Sequence, residues 1–576
     1  MIAPTLRDGR YAIRLGALTV SQSAFMIAAA VAIGLGGGFG AVGFRALIAG
    51  ANRLAFGMIG VFSERYLGAA GVVALLALGG AFAAFISSRF APEAKGHGVP
   101  EVMEAVALRG GAIRPRVIAV KSLASAASIG FGGSCGREGP IVQIGSAIGS
   151  MLGKICNAPA PIVRTLVACG AAAGISATFN APIGGVFFAA EVILGDFAPR
   201  SFAAIVVASV VSAVIGRAFL GNHPSFSASD FMLVSPLELL LYAALGVIAA
   251  CWACGFVNLL YYTEDRFEGA RLPPWSKGAI GFACVGVIGI WFPQVFGVGY
   301  DAIQQVFFEH VPAQHALILS LLKPIATSLT LGGGGSGGVF APSLFTGAFL
   351  GDGFGRVAHD LFPAWTGPAA AYGLVGMAAV FAAAAEAPIT SIMIVFEMSS
   401  DYTIILPLMV AVVIATVLGR RLLGATIYER KLLRRGIDWQ RVRHPRFFSR
   451  VTVESVRRVP PVVAQVDDVI ATFADTETAE GELAIPVCDG ARYVGTVTMA
   501  DISRAVITGR GHRCIGEITH RGTHLLAPRD TLEHAATLMA DVETPLLPVI
   551  DGSEQRLAGI VTRRDLLLAY RSLVDA

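Results

Sequence analysis

Along the first 430 residues the apolar positions come in long runs, not in period-two alternation or narrow stripes. The runs cover 24–47, 71–86, 118–130, 203–220, 237–260, 278–292, 316–331, 370–395 and 404–418. They predict helices that cross a membrane. Several fall short of the roughly 20 residues of a simple span, and Gly and Pro interrupt others. Unequal, broken segments suit a fold in which unwound backbone lines a cavity at membrane depth. Beyond residue 430 the pattern changes. Short apolar runs are separated by turn residues and followed by a helical stretch, which reads as strand, turn, strand, helix.

Both regions repeat internally. In the body, Ser134, Gly136 and Pro140 match Ser336, Gly338 and Pro342 at an offset of 202, and Lys121/Lys323, Gly145/Gly347 and Gly149/Gly351 keep it. Gly170, Ala181-Pro182-Ile183 and Glu191 match Gly376, Ala387-Pro388-Ile389 and Glu397 at 206. Two related halves in one membrane body predict an inverted repeat, with a site near mid-membrane where the halves meet. In the tail, Ile485-Pro486-Val487-Cys488-Asp489 resembles Leu547-Pro548-Val549-Ile550-Asp551, and Gly495 to Asp501 resembles Gly559 to Asp565.

Charge sharpens the boundary. Of the residues in 431–576, 38 are Lys, Arg, Asp or Glu, against 46 in the longer 1–430. The first region is far below the roughly 25% of soluble domains, and the second is at it. A secreted, fibrous or disordered chain is excluded, and a removed signal peptide is not expected, since no small-residue cleavage site closes a short apolar core. The net charge of +4 and the lack of a basic patch interleaved with aromatics speak against nucleic acid. Arg7, Arg10 and Arg14 precede the first run, and Arg420, Arg421, Arg430, Lys431, Arg434 and Arg435 follow the last. The positive-inside rule therefore expects both ends in the cytoplasm. Cys251 and Cys254 have CxxC spacing but lie in an apolar run with no second pair, so no metal site is expected.

The candidate chemistry lies in two glycine-rich segments at matching places in the halves, Gly132 to Pro140 and Gly332 to Pro342. Glycine, then proline, then an apolar helical pattern writes a helix N-terminus. Such an end presents up to four unpaired N–H groups and about half a positive charge. Two of them aimed at one spot make an anion site without a full cation, weak enough to release its ion. Glu138 stands out, because a carboxylate at membrane depth is costly unless paired or protonated. It can occupy an anion site when charged and leave when protonated, a gate and a proton carrier in one group.

These residues resemble the CLC family of chloride channels and chloride/proton antiporters. Its signatures GSGIP, G(K/R)EGP and GxFxP, with a late tyrosine, read here Gly96-His97-Gly98-Val99-Pro100, Gly136-Arg137-Glu138-Gly139-Pro140, Gly338-Val339-Phe340-Ala341-Pro342 and Tyr428. The tail resembles a pair of CBS domains. The resemblance implies an all-α polytopic membrane fold with an inverted repeat and broken, re-entrant helices, followed by an α/β CBS pair. It implies a homodimer embedded in lipid with one pathway per subunit, chloride as the substrate, and no required cofactor. It implies that Glu138 is the gate. The amides of Val339, Phe340 and Ala341 would bind anion with the Tyr428 hydroxyl and the residue at 97, and the amides around Arg137 to Gly139 would form an outer site. The expected domains are a cytoplasmic segment 1–20, a transport domain 21–430 with halves at about 70–220 and 240–420, a basic linker 431–450, and CBS units 451–510 and 511–576.

Two positions depart from the family. His97 replaces a serine that binds the central anion. Its imidazole can donate the same bond, block the inner mouth, shift preference between chloride and nitrate, or point away. Val192 replaces the glutamate that relays protons inward in many antiporters, and the adjacent Glu191 should face elsewhere, one helical step being roughly 100°. The reading favours passive conduction, with chloride/proton exchange and transport of another anion such as nitrate as alternatives. In the tail, Thr498/Asp501 and Thr562/Asp565 fit a pattern that contacts the ribose of ATP, ADP or AMP; a purely dimerising tail is the alternative. An enzyme is not expected. Gly334-Gly335-Ser336-Gly337 matches the GxSG of intramembrane serine proteases, but His359 is the sole downstream histidine in reach before the tail, and Ser336 has a repeat mate. Gly38 to Gly43 matches GxGxxG without a preceding strand and reads as helix packing.

Overall fold

A computed structural model describes residues 4–7, 10–15, 18–221, 233–308, 311–439, 451–474, 484–521, 524–542, 546–552 and 555–575. The chain divides into two units, Met1–Trp439 and Gln440–Ala576. The first unit begins with an antiparallel meander of β1 (Pro4–Arg7), β2 (Arg10–Leu15) and β3 (Leu18–Ser21). Helices then follow as α1 (Gln22–Asn52), α2 (Val61–Leu67), α3 (Ala69–Phe90), α4 (Val99–Leu108), α5 (Arg116–Gly130), α6 (Glu138–Ile155), α7 (Ala160–Phe179), α8 (Pro182–Phe188) and α9 (Pro199–Leu220). The second half supplies α10 (Glu238–Gly269), α11 (Pro274–Trp291), α12 (Tyr300–Phe308), α13 (Ala313–Gly332), α14 (Phe340–Leu361), α15 (Ala369–Ala385), α16 (Pro388–Ser399), α17 (Ile405–Leu423) and α18 (Glu429–Arg434). Among the described residues, seven helical spans are long and apolar enough to cross a membrane.

Two elements differ from the pattern reading. The run 370–395 is two helices, because Glu386 takes a left-handed conformation (φ 50°) just before Ala387-Pro388. Its mate Asn180 does the same (φ 58°) between α7 and α8. The sequence reading also passed over α7, the most enclosed of the seven spans with 89% of its window buried. Its alanines and glycines permit close packing on every side.

The repeat is visible as reciprocal contacts. Gly136 and Gly338, mates at 202, exchange backbone hydrogen bonds of 2.8 and 2.6 Å. The pseudo-two-fold axis therefore runs between them. Ser125 Oγ meets Ser336 Oγ at 2.9 Å, and the mates Thr327 Oγ1 and Ser134 Oγ meet at 3.2 Å. Ser336 N–H donates to Ser128 Oγ, as Ser134 N–H donates to Thr330 Oγ1. Lys121 and Lys323 are fully buried. Lys121 Nζ donates to the carbonyls of Ala94 and Gly96 at 3.0 and 2.7 Å, and Lys323 Nζ to those of Val295 and Gly297 at 2.9 Å each. Each lysine closes an irregular loop in a dry interior, where a buried polar group needs a partner; the Ala94 and Gly96 carbonyls also accept from Ser336 Oγ and Gly337 N–H at 2.7 and 3.2 Å.

Among its described residues the second unit carries a five-stranded sheet in the order β4-β5-β6-β8-β7, with β4 Ala464–Gln465, β5 Ala484–Asp489, β6 Arg492–Thr498, β7 Leu546–Asp551 and β8 Arg556–Thr562. The β5–β6 and β7–β8 hairpins share a register, Ala484 opposite Thr498 and Leu546 opposite Thr562, and each has an irregularity at the corresponding place. Helices Met499–Ile507 and Arg563–Asp575 follow β6 and β8.

Candidate functional site

Three helices start at one place beside the axis. α4 begins at Val99, α6 at Glu138 and α14 at Phe340, while Tyr428 caps the short α18. The first intrahelical bonds are Ile141 N–H to Arg137 C=O in α6 and Ser343 N–H to Val339 C=O in α14. The amides of Glu138 and Gly139, and of Val339, Phe340 and Ala341, lie ahead of those bonds and are the orphan donors of their helices. Their approach depends on Gly139, where a Cβ would stand 2.0 Å from the His97 carbonyl oxygen. In α4, Gly98 N–H is taken by Glu101 Oε2 at 3.1 Å, so an acid already offsets that end.

A narrow buried cavity lies among these ends. It is lined by His97, Val99, Glu138, Gly139, Val142, Ile175, Phe188, Val339, Phe340 and Tyr428. Six residues singled out in the sequence thus come together: His97, Glu138, Gly139, Val339, Phe340 and Tyr428. Arg137 and Ala341 stand behind the wall. The Arg137 guanidinium lies over the Tyr300 ring at 5.0 Å, with its Nε 3.9 Å from Glu138 Oε1. The Ala341 amide faces the Glu138 carboxylate. Phe340 packs on Phe381 and Phe179, with ring centroids 4.1 and 5.0 Å apart.

Glu138 is 1% exposed, and its carboxylate, carried by the first glycine-rich segment, faces the second. Its Oε1 accepts a 2.5 Å hydrogen bond from the Tyr300 hydroxyl. The sequence reading did not single out Tyr300. The signal was there: Gly96-His97-Gly98 has a mate in Gly297-Val298-Gly299 at an offset of 201, and all four glycines have positive φ. Extending the repeat upstream by this motif marks Tyr300 as the mate of Val99.

His97 is 4% exposed, and its Nδ1 is buried with no hydrogen-bond partner among the described residues. Its ring stands edge-on to Tyr261 at 6.1 Å, and Tyr261 OH donates to the Ile427 carbonyl at 2.5 Å. Beyond it, Arg435 pairs with Glu101 and Glu104 at 2.7 and 2.9 Å, and Lys431 pairs with Glu264. Lys95, Lys431, Arg434 and Arg435 with Glu268 line a second, wider cavity.

Val192 is buried in the turn Ala189–Leu194. Glu191 faces away from it: its carboxylate accepts from Ile389 N–H, Thr390 N–H and Thr390 Oγ1–H at 3.3, 2.9 and 2.6 Å. Its mate Glu397 accepts from Ile183 N–H and Gly184 N–H at 3.0 and 2.7 Å. Each acid caps the broken helix of the other half.

Ser336 Oγ bonds to Ser125 Oγ and donates to the Ala94 carbonyl. His359, near the far end of α14, bonds to Thr366. The helical rise puts it about 28 Å from the start of that helix, so the two form no nucleophile–base pair. Among the described residues no cluster of His, Cys, Asp and Glu is placed to hold a metal.

In the tail, Thr498 caps its helix, and Asp501 returns a bond to the Thr498 N–H; Thr562 and Asp565 do the same. Each aspartate also meets a basic group: Asp501 Oδ2 lies 3.0 Å from His520 Nε2, and Asp565 Oδ2 accepts from Arg458 Nε at 3.2 Å. Burial pushes the Asp501 carboxyl up, but the bonds from Thr498 and His520 outweigh it and hold it below its ordinary value. In both aspartates Oδ2 is thus taken by the cap and its basic partner.

A helical membrane body with a two-fold internal repeat and broken helices meeting at a central buried cavity defines the class. The voltage gated chloride channel family model matches residues 79–420, and the chain belongs to that family. The CBS domain model matches residues 515–572. A putative chloride channel protein ClcB-like from Ralstonia nicotianae is 33% identical over 60% of this chain and 81% of its own length. An H(+)/Cl(-) exchange transporter ClcA from Salmonella arizonae is 33% identical over 63% of this chain and 77% of its own length. A solved slow cyanobacterial Cl-/H+ antiporter superposes with a TM-score of 0.66 at 26% identity, covering 71% of this chain and 97% of that one.

Proposed function

We propose that this protein carries chloride across a membrane through the cavity between His97 and Glu138, with Glu138 as its gate. The observation that carries the reading is the place of that carboxylate. It is the first residue of α6, walled by the start of α14, in a cavity whose lining, among the described residues, holds no Lys or Arg. An anion there meets backbone amides and the Tyr428 hydroxyl, which attract it without holding it. Charged Glu138 competes for that place, and protonation releases it. Arg420, Arg421, Arg430, Lys431, Arg434 and Arg435 support a cytoplasmic side for the end near His97 and for both chain termini. The exposed apolar side chains Val210 and Val214 of α9, and Met409, Val413 and Val417 of α17, suit lipid or a second copy of the chain.

Passive conduction is the reading of the inner path. Val192 cannot carry a proton, and the Glu191 carboxylate is committed to the amides that start α16. Chloride/proton exchange is the second reading, favoured by the exchangers among the relatives. Liposomes decide between them: under a chloride gradient at symmetric pH, conduction leaves internal pH unchanged. Proton movement driven against its own gradient would establish exchange instead. In either case Glu138→Gln should abolish the pH dependence of anion flux, and its survival would remove Glu138 from the gate. For the tail we favour a structural pair over an adenine nucleotide site, because both aspartates are engaged internally; calorimetry of the full-length protein with ATP tests this, and heat of binding that is lost in Asp501→Ala would reverse it.

A further inference from the structure

We infer that Tyr300 is a positioning residue for the gate: the second half of the repeat supplies, through its hydroxyl, the donor that holds Glu138 of the first half in the blocking position. The inference rests on the reading of Glu138 as the gate. The contact itself is the 2.5 Å bond from Tyr300 O–H to Glu138 Oε1. The surroundings make the tyrosine a rigid donor. Its ring is held between Arg137, at 5.0 Å, and the edge of Phe179, at 6.3 Å. It opens α12 directly after Gly297-Val298-Gly299, and that loop is closed by Lys323 on the Val295 and Gly297 carbonyls. Gly297 N–H also reaches the Gly132 carbonyl of the first half at 3.3 Å, which ties the loop to the segment that carries the gate.

The chemistry follows from the charge on the carboxylate. A donor to a carboxylate stabilises the ionised form, and hydrogen bonds to charged groups are the strong ones. Ionised Glu138 is therefore held where it blocks, and a proton arriving on it weakens the bond and frees the side chain. The other groups that bear on the pair are Arg137 at the start of the same helix, Tyr428 before α18, the Ala341 amide of α14, Cys135 ahead of α6, and Arg45 of α1 near Tyr300, itself facing Asp301 of α12. Arg137 beside the carboxylate also favours the ionised gate, and the phenol adds to that attraction.

The test is anion flux from liposomes against pH for wild type, Tyr300→Phe, Glu138→Gln and the double variant. Phenylalanine keeps the ring between Arg137 and Phe179 and removes only the donor. Without the donor the proton binds more readily, so half-activation should move to higher pH by about one unit, with flux at neutral pH up about tenfold. At low pH, where the gate is protonated in both, flux should equal that of wild type, which also checks that the variant is folded. In Glu138→Gln the flux should not depend on pH, and adding Tyr300→Phe should not restore any dependence. If Glu138→Gln abolishes the dependence and Tyr300→Phe leaves the midpoint in place, Tyr300 does not position the gate and the gate reading stands. If Glu138→Gln keeps the wild-type dependence, the gate reading itself falls. A reduced low-pH flux in Tyr300→Phe would assign the tyrosine to the fold and overturn the inference.

Discussion

The two halves of the membrane body share a scaffold and differ in chemistry. At the framework positions the mates do the same job: Lys121 and Lys323 close loops, Gly136 and Gly338 exchange bonds across the axis, and Glu191 and Glu397 cap each other's helices. At the positions in and around the cavity wall the mates diverge. Glu138 answers to Phe340, Arg137 to Val339, His97 to Val298, and Val99 to Tyr300. Symmetry builds the crossing of helix ends, and broken symmetry makes it a gated path. A perfectly symmetric site would carry two carboxylates or none, and neither arrangement would give one gate beside one set of bare amides.

The comparison can be broken first at the lysines. Each donates to two carbonyls in a dry interior, so Lys121→Met or Lys323→Met should each lower stability by about 2–4 kcal/mol, the loss of two hydrogen bonds from a charged donor. Thermal unfolding in detergent measures this, and a large cost for one lysine with none for the other would show that the scaffold is not shared. The exchanged acids come next. Glu191→Gln and Glu397→Gln each weaken a helix cap by about 1 kcal/mol. Glu191→Gln should leave the ratio of proton to chloride movement in liposomes unchanged, and a change would make Glu191 a proton carrier after all.

His97 sharpens the contrast at the cavity, where a ring faces the path in one half and its mate Val298 carries no polar atom. Replacing it with serine shortens the donor and widens the cavity. His97→Ser should change the ratio of chloride to nitrate flux by about threefold, less than one strong hydrogen bond; an unchanged ratio means the ring does not touch the anion. The smallest effect is expected in the tail. The Asp501 carboxyl lies below its ordinary value, so its contribution is complete at neutral pH and is lost as pH falls through the folded-state value. Asp501→Asn should destabilise the protein by about 0.5 kcal/mol at pH 7, because the pair with His520 is largely in solvent. The difference from wild type should vanish in acid.

The tail makes a second comparison with the body. It too exchanges contacts between repeats: Arg458 and His520, at an offset of 62, lie against strands β8 and β6 of the opposite unit and reach Asp565 and Asp501. Its exchanged groups are charged and partly in water, where those of the body are mostly hydroxyls and amides kept from it. That difference follows the solvent: an ion pair at a wet surface costs little to form, whereas in a dry interior each polar group must find its partner.

Much of this protein was decided by its sequence alone. Hydropathy separated body from tail, because every apolar run must satisfy its own backbone in lipid. Identical residues at fixed offsets exposed both repeats, and glycine followed by proline marked the helix ends, since few residues can start a helix at a close crossing. The gate candidate was legible because a carboxylate among apolar residues has few structural excuses. Tertiary structure decided what local pattern could not carry. The enclosure of α7 on every side emerged only with its neighbours in place. Glu191 could be assigned only when its partners, some two hundred residues away, were in place. Tyr300 lies 162 residues from Glu138, and no rule of spacing joins them: only the fold of one half onto the other puts a phenol against that carboxylate.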